Sequence, residues 1–209
     1  MTLEEVLETI KSNNKDSIAK IVYVPKANRS FVAWFTINEI KQRKYQIVLL
    51  DEDDYMRPAT SIEYDLDYNN CYIEYFITRY DYQGTGLGKY VYQMAQAHAD
   101  KVGQRYSSGT ICPVAKIKGV SNSKLNEQEN ETNEYKFLQL MYHALGNEIK
   151  QSWRGHHKRI YFEDSWAPNE KYNKLNQQQK AFVDMLTNLE QNKYNEYLED
   201  RQVNNIYHN

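Results

Sequence analysis

The sequence predicts an α/β (α+β) protein in which a mostly antiparallel sheet is flanked by helices and followed by a helical tail. Three observations support this fold class. Five β-branched and aromatic runs come before residue 80, a glycine-rich turn then opens a helix, and helical periodicity returns later in the chain. With 209 residues, the chain is long enough to bury a core of ordinary size without disulfides.

The first hundred residues are expected to form a short helix, a meander of five strands and a second helix. Near the start, apolar residues recur at helical spacing: Leu3, Val6, Leu7 and Ile10. The β-branched and aromatic runs predict strands over residues 18–24, 31–37, 45–50, 60–66 and 71–79. The second helix is expected to run from the glycine-rich turn to Gly103, because glycine commonly ends helices.

The second half is expected to continue with a strand, a helix and a hairpin. The predicted elements are a strand at 106–112, a helix at 134–145 that ends before Gly146, and hairpin strands at 148–153 and 159–163. The polar segment 114–133 is predicted to be a long surface loop, either a functional lid or disordered.

The chain is expected to divide into one main domain, residues 1–164, and a helical C-terminal extension, residues 165–209. An apolar stripe predicts one or two helices in the extension: Leu175, Phe182, Met185, Leu186 and Leu189. These helices are expected to pack on the domain or on a second copy, which would make the protein a homodimer.

The composition limits which binding partners and which cellular compartment are expected. A formal net charge of -2 gives no general attraction to nucleic acid or to an anionic membrane. The apolar run 31–35 is too short to span a bilayer, and the acidic N-terminus lacks a cationic leader. Two cysteines do not make a disulfide framework, so a reducing, cytoplasmic setting is expected. The pair His156-His157 has no third ligand at suitable spacing, which favours an exposed turn over a metal site.

A glycine-rich turn, Gln83-Gly84-Thr85-Gly86-Leu87-Gly88, joins a predicted strand to a predicted helix. Unpaired amides at a helix start carry partial positive charge, so such a turn favours a phosphate group. The spacing excludes two phosphate-binding motifs. A Walker A loop needs glycine in place of Gln83 and Ser or Thr in place of Tyr90, and the dinucleotide fingerprint needs glycine in place of Lys89. A turn without any ligand is the alternative.

Gln83, Gly86 and Gly88 match the Q/R-x-x-G-x-G/A signature, and the turn resembles the pyrophosphate loop of the GNAT superfamily of N-acetyltransferases. The resemblance covers residues 18–163 and implies the GNAT acyl-CoA N-acyltransferase fold, with splayed central strands and acetyl-CoA as co-substrate. It assigns these residues to the cofactor: Ile77 and Thr78 beside the pantetheine arm, and Gln83, Gly84, Thr85, Gly86, Leu87, Gly88 and Lys89 around the pyrophosphate.

Two residues are candidates for proton transfer. Tyr142 lies four residues before Gly146, and this segment resembles the family's helix end whose tyrosine reprotonates the coenzyme A thiolate, although Asn147 stands where the family often has Phe. A packing tyrosine is the alternative. Glu74, on the strand before the loop, is the candidate base for the acceptor amine, and a solvent-facing glutamate is its alternative. In a regular strand Glu74 would share a face with Tyr72 and Phe76, and a bulge would alter this.

The acceptor is expected to be a primary amine. Residues 51–81 contain nine acidic side chains against Arg57 and Arg79, a local excess of seven negative charges that would favour a cationic acceptor. A solvated acidic loop is the alternative. The leading hypothesis is therefore a metal-independent N-acetyltransferase that uses acetyl-CoA. The second hypothesis is a catalytically silent GNAT-like module that binds coenzyme A or another protein.

Overall fold

The computed structural model of the protein describes residues 1–14, 16–67, 70–111, 133–154 and 157–207. Contacts within the chain separate two compact units: Met1–Arg105 with Ala167–Asn209, and Tyr106–Trp166. All but the last residue of the predicted loop 114–133 lies outside the described residues, as do two predicted turn tips, residues 68–69 and 155–156.

The described part of the first unit contains a sheet of five antiparallel strands in sequence order. They are β1 (Ser17–Val24), β2 (Arg29–Glu39), β3 (Lys44–Leu50), β4 (Thr60–Asp67) and β5 (Asn70–Thr78). Each strand pairs with the next, from Val24 against Arg29 in the first hairpin to Thr60 against Thr78 in the last pair. The predicted meander is confirmed, and every strand falls within two residues of its predicted bounds.

Helices cover both faces of this sheet. Helix α1 (Leu3–Asn13) begins at a capping box and packs Val6 and Ile10 against Val32 of β2. Alternate residues of a strand point to opposite faces, so Phe35 lies on the other face, where its ring contacts His98 of helix α2 (Leu87–Lys101) at 5.8 Å. Both helices are as predicted.

The described part of the second unit contains three antiparallel strands and one helix. These are β6 (Tyr106–Thr110), α3 (Asn133–Ala144), β7 (Glu148–Arg154) and β8 (His157–Ser165). Strand β8 lies in the middle and pairs with both β6 and β7. The predicted hairpin of β7 and β8 is confirmed.

The tail forms two helices, α4 (Glu170–Asn173) and α5 (Gln177–Tyr207), both in the first unit. Its start is fixed by Asp100, a buried residue in the last turn of α2, whose carboxylate accepts hydrogen bonds from the amides of Asn169 and Lys171 at 2.9 Å each. Homodimer formation stays a prediction. Among the helices of the described ranges, none has the length and apolar character needed to cross a membrane.

A buried ion pair ties α5 to the sheet. Glu190 of α5 is almost fully buried, and its Oε1 accepts hydrogen bonds from Arg43 Nη2 at 2.8 Å and from Tyr45 Oη at 2.9 Å. Arg43 and Glu190 are 147 residues apart in the sequence. The contact therefore closes the tail onto the turn between β2 and β3.

Next to this ion pair, a histidine is buried in the core. His98 is fully buried, and its Nδ1 lies 2.8 Å from Tyr64 Oη, while its Nε2 has no partner among the described residues. Burial, together with the smaller effect of the Arg43 charge, lowers the pKa of His98 to about 3. The imidazole is therefore neutral in the folded protein at physiological pH.

We expect the stability of the protein to fall as the pH decreases from 8 to 5. The folded pKa of His98, about 3, is below the ordinary value of 6.5, so between these values the unfolded state binds the additional proton. The contribution of His98 to the free energy of unfolding is fully present above pH 6.5. It should decrease by about 2 kcal/mol when the pH falls to 5. Urea titrations of the wild type and of His98→Gln at both pH values measure it. The exposed His143 provides the control variant His143→Gln, and equal pH dependence in both variants would contradict the assignment.

Candidate active site

The candidate base Glu74 lies at a β-bulge in β5. In the pairing of β4 with β5, Tyr64 is opposite Ile73 and Glu63 is opposite Tyr75, so Glu74 is an additional residue on β5. A bulge of this kind reverses the alternation of side chains along the rest of the strand. Strand β5 is therefore not regular: the bulge considered from the sequence is present, and Glu74 does not share a face with Phe76.

After the bulge, the face of β5 toward α2 is formed by Phe76 and Thr78. The Phe76 ring lies 5.7 Å from the ring of Tyr92 in α2. A Cβ added at Gly88 would lie 2.9 Å from Thr78 Oγ1 and 3.1 Å from Phe76 Cζ, which is too close for an ordinary contact. Gly88 therefore lets the first turn of α2 approach β5 closely, and this close packing positions the preceding loop.

The Glu74 carboxylate lies on the opposite face of the sheet. Its Oε1 accepts a hydrogen bond from Lys44 Nζ at 2.8 Å, and its side chain is 36% exposed. The pairing with Glu74 is the largest cause of the raised pKa of Lys44. Because an ion pair this exposed adds little stability, displacing the Lys44 ammonium from Glu74 would cost little.

The chain between β5 and the glycine-rich turn is fixed by a buried carboxylate. Asp51 is fully buried and accepts hydrogen bonds from Tyr82 Oη at 2.6 Å and from Arg79 Nη2 at 3.0 Å. Burial alone would raise the pKa of Asp51, but the hydrogen bonds from Tyr82 and the Asp54 amide, with the Arg79 charge, hold it below its usual value. The ionised Asp51 anchors both ends of the segment 79–82, directly before the turn.

The segment Gln83–Gly88, hereafter the phosphate loop, is shaped by two glycines in the left-handed region. Gly84 has φ +78° and Gly86 has φ +87°, conformations that other residues rarely adopt. The side chain of Gln83 donates from Nε2 to the Thr78 carbonyl at 3.3 Å, which closes the loop onto the end of β5. Thr85 Oγ1 donates to the main-chain carbonyl three residues earlier, at 2.5 Å.

Helix α2 begins at the end of this loop with no side-chain cap. Gly86 is the N-cap residue, and within the described chain no side chain caps it by a hydrogen bond. The first-turn amides of Leu87, Gly88 and Lys89 have no carbonyl four residues earlier within the helix. The buried Leu87 side chain anchors this turn, whereas Lys89 is exposed. The arrangement leaves main-chain donors and the positive end of the helix dipole for an anion.

Six of the nine acidic side chains in the segment 51–81 take part in ion pairs with four basic residues. The pairs that the structure describes are Arg79 with Asp51, Asp54 and Asp81, Arg29 with Glu52 and Asp53, Arg57 with Asp54, and Lys44 with Glu74. The net charge that remains to attract a cationic acceptor is therefore smaller than the sequence count suggests.

The candidate acid Tyr142 lies near the end of α3, in the second unit. Its ring is almost fully buried and stacks on Phe162 of β8, with centroids 3.8 Å apart and planes 12° apart. A Schellman motif ends the helix: the Asn147 amide donates to the Tyr142 carbonyl at 3.1 Å, and the Gly146 amide donates to the His143 carbonyl at 2.9 Å. The Asn147 side chain also donates to the Tyr142 carbonyl, at 2.9 Å. Asn147 therefore fixes the main chain at Tyr142.

The first unit brings together Glu74, Ile77, Thr78 and the phosphate loop, whereas Tyr142 belongs to the second unit. Sequence reasoning missed two basic residues beside this site. One is Lys44, which pairs with Glu74, and the other is Lys26, whose side chain lies against Gly86. Period-two alternation along β3 could have placed Lys44 on a solvent-facing side, but no local signal connects Lys26 with the loop.

No protein-family model matches the sequence, and no curated protein is detectably similar to it. Solved structures are similar in fold. A cAMP-binding acyltransferase from Mycobacterium smegmatis matches 92% of this chain with 9% identity and a TM-score of 0.55, and this chain spans 59% of that protein. This similarity confirms the predicted fold class, in which a mostly antiparallel sheet is flanked by helices.

Structures of smaller acetyltransferases are similar over shorter parts of the chain. An acetyltransferase of the GNAT family from Staphylococcus aureus Mu50 matches 61% of this chain and 71% of its own, with 9% identity and a TM-score of 0.43. The PaiA N-acetyltransferase from Thermoplasma acidophilum in complex with coenzyme A matches 59% of this chain and 62% of its own, with 10% identity and a TM-score of 0.43.

Proposed function

We propose that this chain, which has the GNAT acyltransferase fold, is an N-acetyltransferase. It transfers the acetyl group of acetyl-CoA to a primary amine by direct attack in a ternary complex. The phosphate loop carries the proposal. Two glycines at positive φ and an uncapped helix start follow directly on β5, and this arrangement suits the diphosphate of coenzyme A. Acetyl-CoA acts as co-substrate.

In this proposal the main chain at the end of β5 holds the pantetheine arm. The Ile77 carbonyl accepts a hydrogen bond from Thr60 Oγ1 at 2.9 Å, and the Thr78 carbonyl accepts one from Gln83. These bonds fix the strand end before a ligand arrives. A main-chain amide next to the thioester carbonyl stabilises the oxyanion of the tetrahedral intermediate, an interaction worth about 3 kcal/mol.

Proton transfers in the proposed reaction involve Glu74 and Tyr142. The acceptor ammonium takes the place of the Lys44 ammonium beside Glu74, which removes one proton and leaves a neutral amine. The amine nitrogen then forms a bond to the acetyl carbon, and the bond between that carbon and sulfur breaks. Tyr142 gives its phenolic proton to the departing coenzyme A thiolate, which leaves as the thiol. The second proton of the attacking nitrogen passes through solvent to the Tyr142 phenolate, which leaves a neutral amide and restores the phenol.

One observation favours a second candidate function. The Tyr142 ring is almost fully buried and stacked on Phe162, as a packing tyrosine would be. A module that binds coenzyme A without turnover is consistent with that packing. Two measurements separate these functions: calorimetric titration with coenzyme A, and release of thiol from acetyl-CoA in the presence of a panel of primary amines. Binding together with thiol release supports the enzyme, and binding without release on any amine supports the module.

We expect Tyr142→Phe to leave the affinity for coenzyme A unchanged and to reduce kcat by about 100-fold. Phenylalanine keeps the stacking on Phe162 but removes the acidic proton, and general acid catalysis typically contributes a factor of this size. Steady-state thiol release measures kcat, and calorimetry measures the affinity. Tyr161→Phe, a change of the same kind on β8, is the control. A kcat equal to that of the wild type would exclude Tyr142 as the acid.

A further inference from the structure

The connection between β1 and β2, residues 24–29, lies against the phosphate loop. A Cβ added at Gly86 would lie 3.1 Å from both Cβ and Cδ of Lys26, so the aliphatic part of Lys26 crosses directly over this glycine. On the same connection, Arg29 Nη1 donates a hydrogen bond to Tyr82 Oη at 3.1 Å, just before the loop. Two independent contacts therefore hold the connection beside the loop.

The connection itself is held by local hydrogen bonds. Pro25–Ala27 form one turn of 3-10 helix, which the Asn28 amide closes by donating to the Pro25 carbonyl at 3.1 Å. Asn28 has φ +51°, and its side chain accepts a hydrogen bond from Tyr23 Oη at 2.6 Å. The main chain at Lys26 is therefore positioned before any ligand binds, which lowers the entropic cost of using its side chain.

The charge of Lys26 has no acidic partner in the described part of the chain, in contrast to the neighbouring arginines. Arg29 pairs with Asp53 at 3.2 Å, and Arg79 pairs with Asp51 at 3.0 Å. Lys26 is exposed, and only two bonds separate its Cδ from its ammonium nitrogen. That nitrogen lies within about 6 Å of the Cβ position of Gly86, given standard bond lengths. An unpaired cation thus lies beside main-chain donors suited to an anion.

We propose that Lys26 binds a phosphate group of the ADP moiety of coenzyme A. This inference rests on the proposed function, because it assigns a further ligand to the same cofactor. Gly86 has two roles here: it adopts the positive φ of the loop, and its missing side chain leaves room for the Lys26 stem. The group bound is either the diphosphate at the loop or the 3′-phosphate of the ribose. Both groups are negatively charged at neutral pH, so an ammonium stabilises either of them.

The test is calorimetric titration of wild type, Lys26→Met and Lys20→Met with coenzyme A and with 3′-dephospho-coenzyme A. Methionine keeps the stem over Gly86 and removes the charge, and Lys20, an exposed lysine of β1, is the matched control. Lys26→Met should bind coenzyme A about tenfold more weakly than wild type, with a weaker salt dependence, and Lys20→Met should bind like wild type. A loss with both ligands assigns the diphosphate, and a loss with coenzyme A alone assigns the 3′-phosphate.

Coenzyme A affinity of Lys26→Met equal to that of wild type would overturn the proposal. Failure of the proposed function gives a different result, since wild type and Lys20→Met would then also fail to bind. A thermal melt of each variant checks folding. If Lys26→Met is unfolded, Lys26→Gln replaces it under the same two criteria.

Discussion

Replacing Gly86 by glutamate is expected to abolish coenzyme A binding, with a loss of affinity of at least about 100-fold. Three effects act together. A glutamate would be strained at φ +87°, its Cβ would lie 3.1 Å from the Lys26 stem, and its carboxylate would bring negative charge to the place of the diphosphate. The first two effects distort the loop, and the third repels the ligand from the remaining donors.

Calorimetric titration with coenzyme A measures this loss, and Gly103→Glu is the matched control. Gly103 has φ +94°, a similar backbone conformation, and it lies beyond the opposite end of α2 with no atom within 4 Å of an added Cβ. The same substitution there carries the same kind of strain and the same charge. Loss of binding only at Gly86 supports the loop assignment, whereas retained affinity in Gly86→Glu would refute it.

Replacing Arg43 by methionine is expected to reduce the free energy of unfolding by about 3–5 kcal/mol, since removing one partner of a buried ion pair leaves the other charge unpaired. The remaining partner, Glu190, has a side chain that is only 3% exposed. The hydrogen bond from Tyr45 stays, but a neutral hydroxyl does not balance a carboxylate charge.

Urea denaturation measures the loss, and two further variants test its cause. Lys174→Met removes the exposed ion pair with Glu170 and should cost less than about 1 kcal/mol. The double variant Arg43→Met with Glu190→Leu removes both charges and should recover much of the stability. A loss below about 1 kcal/mol in Arg43→Met alone would contradict the assignment, because it is the size expected of an exposed ion pair.

The order of helices and strands could be predicted because each depends on local periodicity. The stripe of Leu3, Val6 and Ile10 suffices for α1, and β-branched runs suffice for the strands. Gly146 indicated the end of α3 from the sequence alone, because a helix commonly ends at a glycine that adopts positive φ. The role of Asn147 as a second cap on the Tyr142 carbonyl was not visible, because it depends on the path of the chain after the helix.

The arrangement around the loop could not be predicted, because it depends on contacts between distant residues. The bulge at Glu74 is a property of the register between β4 and β5, and nothing in the β5 sequence alone specifies it. The contact of Lys26 with Gly86 joins residues that are 60 positions apart in the sequence. The pairing of Arg43 with Glu190 likewise requires the tail to return to the sheet. The negative charge counted over residues 51–81 exceeds the charge that stays unpaired, because Arg29 and Lys44, which lie outside that segment, neutralise part of it.

The claim that main-chain amides of the phosphate loop bind coenzyme A is tested most directly by amide chemical shifts. In a ¹⁵N-labelled sample titrated with coenzyme A, the amide resonances of Gly84, Gly86 and Gly88 should move, while that of Gly103, which has positive φ as Gly84 and Gly86 do, should stay in place. Saturable binding of coenzyme A with unmoved resonances at all three loop glycines would contradict the account.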